Sequence, residues 1–273
     1  MTATQTEKAL RFQQLHQRPG TFLIPNPWDI GSARVLATLG FEAFATSSSA
    51  SAGVLGRRDS RVTRDEALEH AGAIAGATDI PVSADLENGF GDSPEAVAET
   101  IRLAAATGIA GGSIEDATRD NPVIYPIQQA IERIDAAVRA AKSLPFRFTL
   151  TARAENFVRG KPDLEDTIKR LRAYEKAGAD VLFAPALPDI AAVRAVCAAV
   201  SKPVNFMVGI RGKSFSVAEL AEAGVKRISF ASSLYRAAMT RLVEAASEVK
   251  QTGAFGYLDR TMPTAELNRF FPD

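Results

Sequence analysis

The chain has 273 residues, 46% of them hydrophobic, and its 32 Lys and Arg balance its 32 Asp and Glu. This composition is typical of a packed globular protein, and the zero net charge argues against nucleic-acid or anionic-membrane partners. The single cysteine excludes an intrachain disulfide and a cysteine-based zinc site. Residues 1–18 lack the apolar core of a secretory signal, and no apolar run is long enough to span a membrane, so we expect a cytoplasmic protein.

Eight short β-prone segments alternate with longer, alanine-rich helical patterns along the chain. The helical patterns include residues 95–106 and 164–177. Alternating β and α units predict a parallel sheet, and eight such units in about 250 residues indicate an α/β fold of the TIM-type (β/α)8 barrel class. The predicted strands are 22–25, 43–46, 81–85, 112–115, 148–153, 181–184, 204–208 and 227–231.

The ends of the predicted helices carry recognisable signals. Ser93 followed by Pro94 is typical of a helix start, because Ser caps free N–H groups and Pro is tolerated at the first position. A glycine follows four of the helices and is expected in the left-handed conformation before the next strand. These four are Gly40, Gly108, Gly178 and Gly224.

Helical segments also lie outside the eight units. We expect an extra helix within residues 1–20, a long helix over 235–250 and a short helix over 264–271. The whole chain, 1–273, is interpreted as one barrel domain with additional C-terminal helices, of which 253–273 forms a tail. The apolar side chains of this tail, Phe270 and Phe271 among them, are suited to docking on the barrel or on a neighbouring subunit.

Polar side chains gather where the predicted strands end. Because active sites of TIM barrels lie at the C-terminal ends of the strands, these residues are the candidate site. They comprise Ser47 and Ser48 after strand two, Asp85 and Glu87 at strand three, Glu115 at strand four, Arg153 at strand five and Asn205 in strand seven.

The acids of strands three and four predict a site for a divalent cation. Asp85 and Glu87 are two residues apart and would share one side of a strand, with Glu115 on the adjacent strand. Clustered carboxylates repel unless a cation or proton is present, and Mg²⁺, with Mn²⁺ as a possible substitute, suits such oxygen ligands. Alternatively, these acids are solvated or pair with Arg153. Arg153 itself is suited to clamping a carboxylate or phosphonate through its planar fork.

Four segments together resemble the isocitrate lyase/phosphoenolpyruvate mutase superfamily. They are residues 47–60, 84–91, 114–116 and 152–155, in the family's order. The second segment, Asp-Leu-Glu-Asn-Gly-Phe-Gly, is similar to the family's Asp-x-Asp/Glu-x-Gly-Tyr/Phe-Gly signature. The resemblance implies a barrel that binds Mg²⁺ and a 2-oxo acid or its enolate, assembled as a homotetramer in which a C-terminal helix packs on a neighbour.

The resemblance also implies roles for individual residues. Asp85 would contact the ion, and Glu87 and Glu115 would hold it directly or through waters. Ser47 and Ser48 would lie against the substrate carboxylate or oxo group, and Arg153 would pair with the anionic end of the substrate. Asp59 would support the metal shell or the substrate.

The segment after strand four departs from the family pattern. Lyases of this superfamily carry a Lys-Lys-Cys-Gly-His type segment here, whose cysteine transfers a proton. Residues 117–125 contain no cysteine, lysine or histidine, so isocitrate or methylisocitrate cleavage by the usual mechanism is not expected. Only Asn121 is comparable with the corresponding loop of the mutases. The segment is long enough to form a lid. Arg119 or Tyr125 would enter the site from it, but surface roles are favoured for both.

Three functions follow from these observations. The first is a Mg²⁺-dependent enzyme that cleaves or decarboxylates a small 2-oxo dicarboxylate such as oxaloacetate, which tolerates the missing cysteine. The second is a mutase-like enzyme that forms or cleaves a phosphonate, which needs cations around the phosphoryl group. The third is a non-catalytic binder of small carboxylates. The first is favoured.

Overall fold

Eight strands and eleven α-helices make up most of the computed structural model, which describes residues 3–119 and 123–271. The strands are β1 Phe22–Ile24, β2 Phe44–Ala45, β3 Val82–Asp85, β4 Gly111–Glu115, β5 Thr149–Arg153, β6 Val181–Phe183, β7 Val204–Met207 and β8 Arg227–Ser229. The helices are α1 Gln5–Gln17, α2 Ile30–Thr38, α3 Ser48–Val54, α4 Arg64–Ala77, α5 Pro94–Ala105, α6 Ile127–Lys142, α7 Leu164–Ala177, α8 Ile190–Ala199, α9 Val217–Glu222, α10 Ser233–Thr252 and α11 Thr264–Leu267, with 3-10 segments at Gly256–Arg260 and Asn268–Phe270.

The strands form one parallel sheet in the order β1-β8-β7-β6-β5-β4-β3-β2. Between the two end strands, the amide of Ala45 donates to the carbonyl of Pro25 at 3.0 Å, which brings the edges of the sheet together. Each observed strand overlaps its prediction, and the TIM-type barrel is confirmed. The barrel geometry places all strand C-termini at one end of the cylinder.

Helix ends follow the local signals of the sequence. Ser93 accepts a hydrogen bond from the amide of Ala96 at the start of α5, with a proline at the first helical position. The four glycines before strands all have positive φ, of 86° at Gly40, 89° at Gly108, 103° at Gly178 and 93° at Gly224. These end signals therefore set where the chain leaves each helix for the next strand.

Helix α1 covers the N-terminal end of the barrel. Its Phe12 and Leu15 are buried in a cluster with Phe22 at the start of β1 and with Ala110 before β4. The imidazole of His16 lies between the rings of Phe12 and Phe22, at centroid distances of 4.7 and 5.0 Å. Because this end is covered, a ligand reaches the barrel from the opposite end.

The C-terminal helices lie on the outside of the barrel. The predicted long helix is α10, 20 residues in length, and none of its residues is buried. The predicted final helix is α11 followed by a 3-10 turn. Along the described chain, no helix is long and apolar enough to cross a membrane.

Candidate active site

The C-terminal ends of the strands surround a cavity of about 300 Å³. Its wall contains residues from all eight strands or the loops that follow them, as expected for the active end of a TIM barrel. Every site residue predicted from the sequence lines this one cavity, namely Ser47, Ser48, Asp59, Asp85, Glu87, Glu115, Arg153 and Asn205.

Arg153 lies at the centre of an ion-pair network in this cavity. The register of β4 and β5 places Glu115 beside Arg153, and their side chains meet at 2.9 Å. The guanidinium also lies 3.3 Å from Asp85 and 3.0 Å from Glu155. Its face packs 4.9 Å from the ring centroid of Phe183. The alternative raised by the sequence, that the acids pair with Arg153, is thus realised in the structure for Asp85 and Glu115.

Glu155 and Arg159 extend the network, and the sequence analysis did not include them among the site residues. Arg159 lies 2.9 Å from the second oxygen of Glu115 and 3.4 Å from Glu155. The carboxylate of Asp116 accepts from the amide of Glu155 at 2.8 Å and so fixes the chain after β5. The sequence signal for these two residues was their spacing. Glu155 lies two residues after Arg153, and Arg159 follows four residues after Glu155.

Burial dominates the protonation of these acids. It raises the pKa of Glu115 above the usual value although Arg153 and Arg159 oppose the shift, and it raises the pKa of Glu155 in the same way. Burial would lower the pKa of Arg153, but the surrounding carboxylates outweigh it and raise that pKa. The guanidinium therefore stays charged, and the charge balance of the cavity depends on the acids.

Glu87 lies in a different environment from the one predicted. Strand β3 ends at Asp85, and Glu87 follows in a turn with φ of 49°, so the expectation that strand alternation aligns the two side chains was wrong. Burial raises the pKa of Glu87 to about 7, although Arg119 opposes the shift. A left-handed, non-glycine residue at this position is a strained conformation of the kind found at functional sites.

Arg119 comes from the segment after β4 and pairs with the carboxylate of Glu87. It also donates to the carbonyls of Ser60 and Val62, at 3.1 and 2.6 Å. Arg119 therefore reaches a predicted metal-site acid without lining the cavity itself. By contrast, Tyr125 is buried outside the cavity, where its hydroxyl donates to Asp92. Asn121 lies outside the described residues.

The serine run after β2 begins a short helix that the sequence analysis did not predict. Ser47 caps α3 through a hydrogen bond of 3.5 Å from the amide of Ala50. The amide of Ser48 donates to the carboxylate of Asp85 at 3.2 Å. Asp59, in the loop after α3, is exposed at the edge of the cavity and accepts from the amide of Ser60. The hydrogen bond from Ser48 thus links the start of α3 to Asp85.

Asn205 lies deeper in the barrel than the acids. Its side-chain oxygen accepts from Arg227 at 2.8 Å, and its amide nitrogen donates to the hydroxyl of Ser229 at 3.0 Å. These two bonds fix the orientation of the amide within the polar wall of the cavity.

The acids of the cavity are compatible with a hydrated divalent cation. Within the part of the chain that the structure describes, no three Asp, Glu, His or Cys side chains are close enough together to hold a metal. However, five carboxylates line the cavity, and carboxylate oxygen is the donor that Mg²⁺ prefers. Mg²⁺ usually keeps several waters and takes one or two protein carboxylates, so Asp85 with water-mediated neighbours fits it. The five are Asp59, Asp85, Glu87, Glu115 and Glu155.

Comparison with known sequences identifies related enzymes. The family model of phosphoenolpyruvate phosphomutase matches residues 12–250. The 2-methylisocitrate lyase of Escherichia coli (strain K12) is 32% identical over 238 residues, which cover 82% of this chain and 78% of that enzyme. Oxaloacetate decarboxylase 1 of Pseudomonas putida (strain W619) is 26% identical over 245 residues, covering 87% and 83%.

Comparison with solved structures finds the same architecture. A protein of Burkholderia cenocepacia J2315, assigned provisionally as a lyase or mutase, is 50% identical and superposes with a TM-score of 0.96. The alignment covers 98% of this chain and 97% of that protein. The similarity therefore includes the strand ends that form the cavity as well as the outer helices.

Proposed function

Because this chain belongs to the isocitrate lyase/phosphoenolpyruvate mutase superfamily, we propose that it is a Mg²⁺-dependent enzyme that decarboxylates or cleaves a small 2-oxo dicarboxylate such as oxaloacetate. The observation that carries this proposal is the side-chain composition of the cavity. Its described lining has acids, arginines and hydroxyls but no lysine, histidine, cysteine or tyrosine. A reaction that needs no dedicated acid at the bond being broken suits this lining best.

Decarboxylation meets that condition. The bond between the β-carboxyl carbon and C3 breaks, CO2 leaves, and the electron pair remains as the enolate of the 2-oxo acid, which then takes a proton at C3 from solvent water. Mg²⁺ held by Asp85, with Glu87 and Glu115 behind it through waters, would supply Lewis-acid stabilisation of the enolate oxygen. Oxaloacetate decarboxylase 1 of Pseudomonas putida is a relative whose name describes this chemistry.

The chain's own groups have defined tasks in this proposal. Ser47 and Ser48, at the start of α3, would contact the substrate carboxylate or oxo group. Arg153 would pair with the anionic end of the substrate, while its stacking on Phe183 keeps the guanidinium plane in place. Asp59, at the edge of the cavity, would support the substrate or the metal shell. The small volume of the cavity favours a substrate of a few carbon atoms.

The test combines two assays on the same protein. Pyruvate in D2O with Mg²⁺ should lose its methyl proton signal through enolate formation, and oxaloacetate should release CO2 faster than in the enzyme-free control. Asp85→Asn should abolish both, whereas Asp65→Asn, which changes a carboxylate with 91% exposure on α4, should not. Enolate exchange at the wild-type rate after exhaustive chelation would refute the metal-dependent mechanism.

A mutase is the second candidate, favoured by the family model that matches the chain. Phosphoryl migration requires cations around the phosphoryl group. Besides Arg153, Arg159 and Arg227 bring guanidinium groups to the cavity, but Arg119 is engaged by Glu87. Conversion of phosphonopyruvate, followed by ³¹P NMR, would identify this activity. If pyruvate exchange, decarboxylation and phosphonate conversion all fail while oxalate still binds, the protein is a carboxylate binder.

We also propose that the protein assembles as a homotetramer through its C-terminal helices. Helix α10 has no buried residue in the single chain, and Leu242 and Val243 on it are more than half exposed. Phe255 and Leu258 continue this apolar surface into the tail. Apolar surface of this extent on a helix favours packing against another subunit.

A further inference from the structure

The deep part of the cavity is polar, although TIM barrel interiors are usually filled with branched apolar side chains. Below the acids, the wall is formed by hydroxyl, amide and guanidinium groups from β3, β4, β7 and β8. Each of these residues is less than 9% exposed. We call this group the interior well; its members are Ser83, Ser113, Asn205, Arg227 and Ser229.

Arg227 is the only charged member of the interior well, and it has no acidic partner among the described residues. None of the ion pairs within residues 3–119 and 123–271 includes it. Its nitrogens meet the oxygen of Asn205 at 2.8 Å, the hydroxyl of Thr151 at 3.1 Å and the imidazole of His16 at 3.5 Å. A guanidinium has five N–H groups, so at least two of them lack an acceptor among the described residues.

The surroundings of Arg227 make its positive charge energetically unfavourable. Burial, reinforced by the charge of Arg153, lowers the pKa of Arg227 to about 9. His16 adds no charge, since burial lowers its pKa to about 3 and leaves the ring neutral. A buried cation without an anion is among the most unfavourable arrangements in a protein interior.

Two further donors face the same space. The hydroxyls of Ser83 and Ser113 line the cavity, and both residues are buried. Asp85, Glu115 and Glu155, which lie above them, contact Arg153 and not Arg227. The well therefore has one positive charge and hydroxyl donors, and none of its own members is acidic.

We propose that the interior well is a binding site for a small anion, held by the free N–H groups of Arg227 and by the hydroxyls of Ser83 and Ser113. A halide from solution and a carboxylate of the substrate share the required chemistry: a single negative charge and compact size. The second source rests on the proposed function, whereas the first does not.

Bromide is a suitable probe, because it combines this chemistry with an anomalous diffraction signal. Crystals in sodium bromide should show an anomalous peak beside Arg227. In solution, bromide should raise the melting temperature relative to sodium gluconate, whose anion is too large, at equal ionic strength. Arg227→Met should abolish the peak and raise the half-saturating bromide concentration at least tenfold. Arg102→Met, which removes an exposed arginine paired with Glu99, should leave both unchanged.

Repeating the bromide titration with Mg²⁺ and oxalate identifies the source of the anion. Displacement of bromide by oxalate supports a substrate carboxylate, and simultaneous binding supports a halide from solution. If Arg227→Met fails to fold, Ser113→Val serves instead, since it removes a donor and fills space, and it should weaken bromide binding. Three results together would overturn the proposal. They are the absence of an anomalous peak, equal melting temperatures in bromide and gluconate, and wild-type oxalate affinity in Arg227→Met. The bromide measurements do not require turnover. A loss of catalytic activity alone would therefore contradict the proposed function but not the anion site.

Discussion

Replacing Arg153 by methionine tests whether the ion-pair network holds the site together. The change removes the shared partner of three carboxylates, of which Glu115 and Glu155 are buried and Asp85 is partly buried. Breaking a buried ion pair by removing one partner typically costs about 3–5 kcal/mol. At about 2–4 °C for each kcal/mol in a chain of this size, we expect the melting temperature to fall by about 6–20 °C.

The loss of stability in Arg153→Met should depend on pH. Without the guanidinium, burial and mutual repulsion raise the folded-state pKa values of Glu115 and Glu155 further above their unfolded values. Between the unfolded and folded pKa values the folded state binds more protons, so stability falls as the pH rises through that window. The difference between wild type and Arg153→Met should therefore be small near pH 5 and larger near pH 8.

The assay is thermal and urea unfolding at fixed protein concentration, with kcat/KM measured on the same samples. The control Arg102→Met breaks an exposed pair and should cost less than about 1 kcal/mol at every pH. Arg153→Lys keeps the charge but not the bidentate fork, and if Arg153 also clamps substrate, kcat/KM should fall roughly tenfold to hundredfold. A stability loss below about 1 kcal/mol that does not change with pH would refute the network's structural role.

Three other measurements test separate parts of the molecule. Deleting residues 253–273 should lower the oligomeric state seen by light scattering, and an unchanged tetramer would show that the tail does not mediate assembly. Burial raises the pKa of Glu87 to about 7, so the protonated form of this residue favours folding. In the presence of a chelator, the stability of the wild type should therefore decrease from pH 5 to pH 8 more than the stability of Glu87→Gln. Ile114→Ala, at a fully buried position, should cost about 2–5 kcal/mol in urea unfolding and leave kcat/KM per folded molecule unchanged.

The strands and the convergence of the acids were predictable from local sequence. Each strand has its own pattern, and parallel strands in sequential order bring Asp85, Glu115 and Arg153 to one end of the barrel. The pairing of Arg119 with Glu87 was not predictable, because it depends on the path of a loop and on a turn at Glu87 with positive φ. The capping role of Ser47 was missed because α3 is short and follows its strand directly.

Arg227 was missed for a different reason. In the sequence it follows Lys226 in a basic pair, which is typical of an exposed strand end. The inward orientation of its side chain becomes apparent only from the register of the barrel, in which Arg227 lies opposite Asn205 on β7. Which way the first residue of a strand points depends on the stagger between strands, and this is a property of the closed sheet rather than of one segment.

The alternation along the strands explains how the barrel tolerates a polar interior. In β4, Ser113 and Glu115 face the cavity, while Ile114 between them is fully buried in the layer between sheet and helices. Strand β8 repeats the pattern, with Ile228 between Arg227 and Ser229. Since side chains alternate between the two faces of a strand, apolar packing is concentrated outside the barrel. The outer layer thus supplies the hydrophobic stability, and the inner faces can carry charges and hydroxyls for ligands.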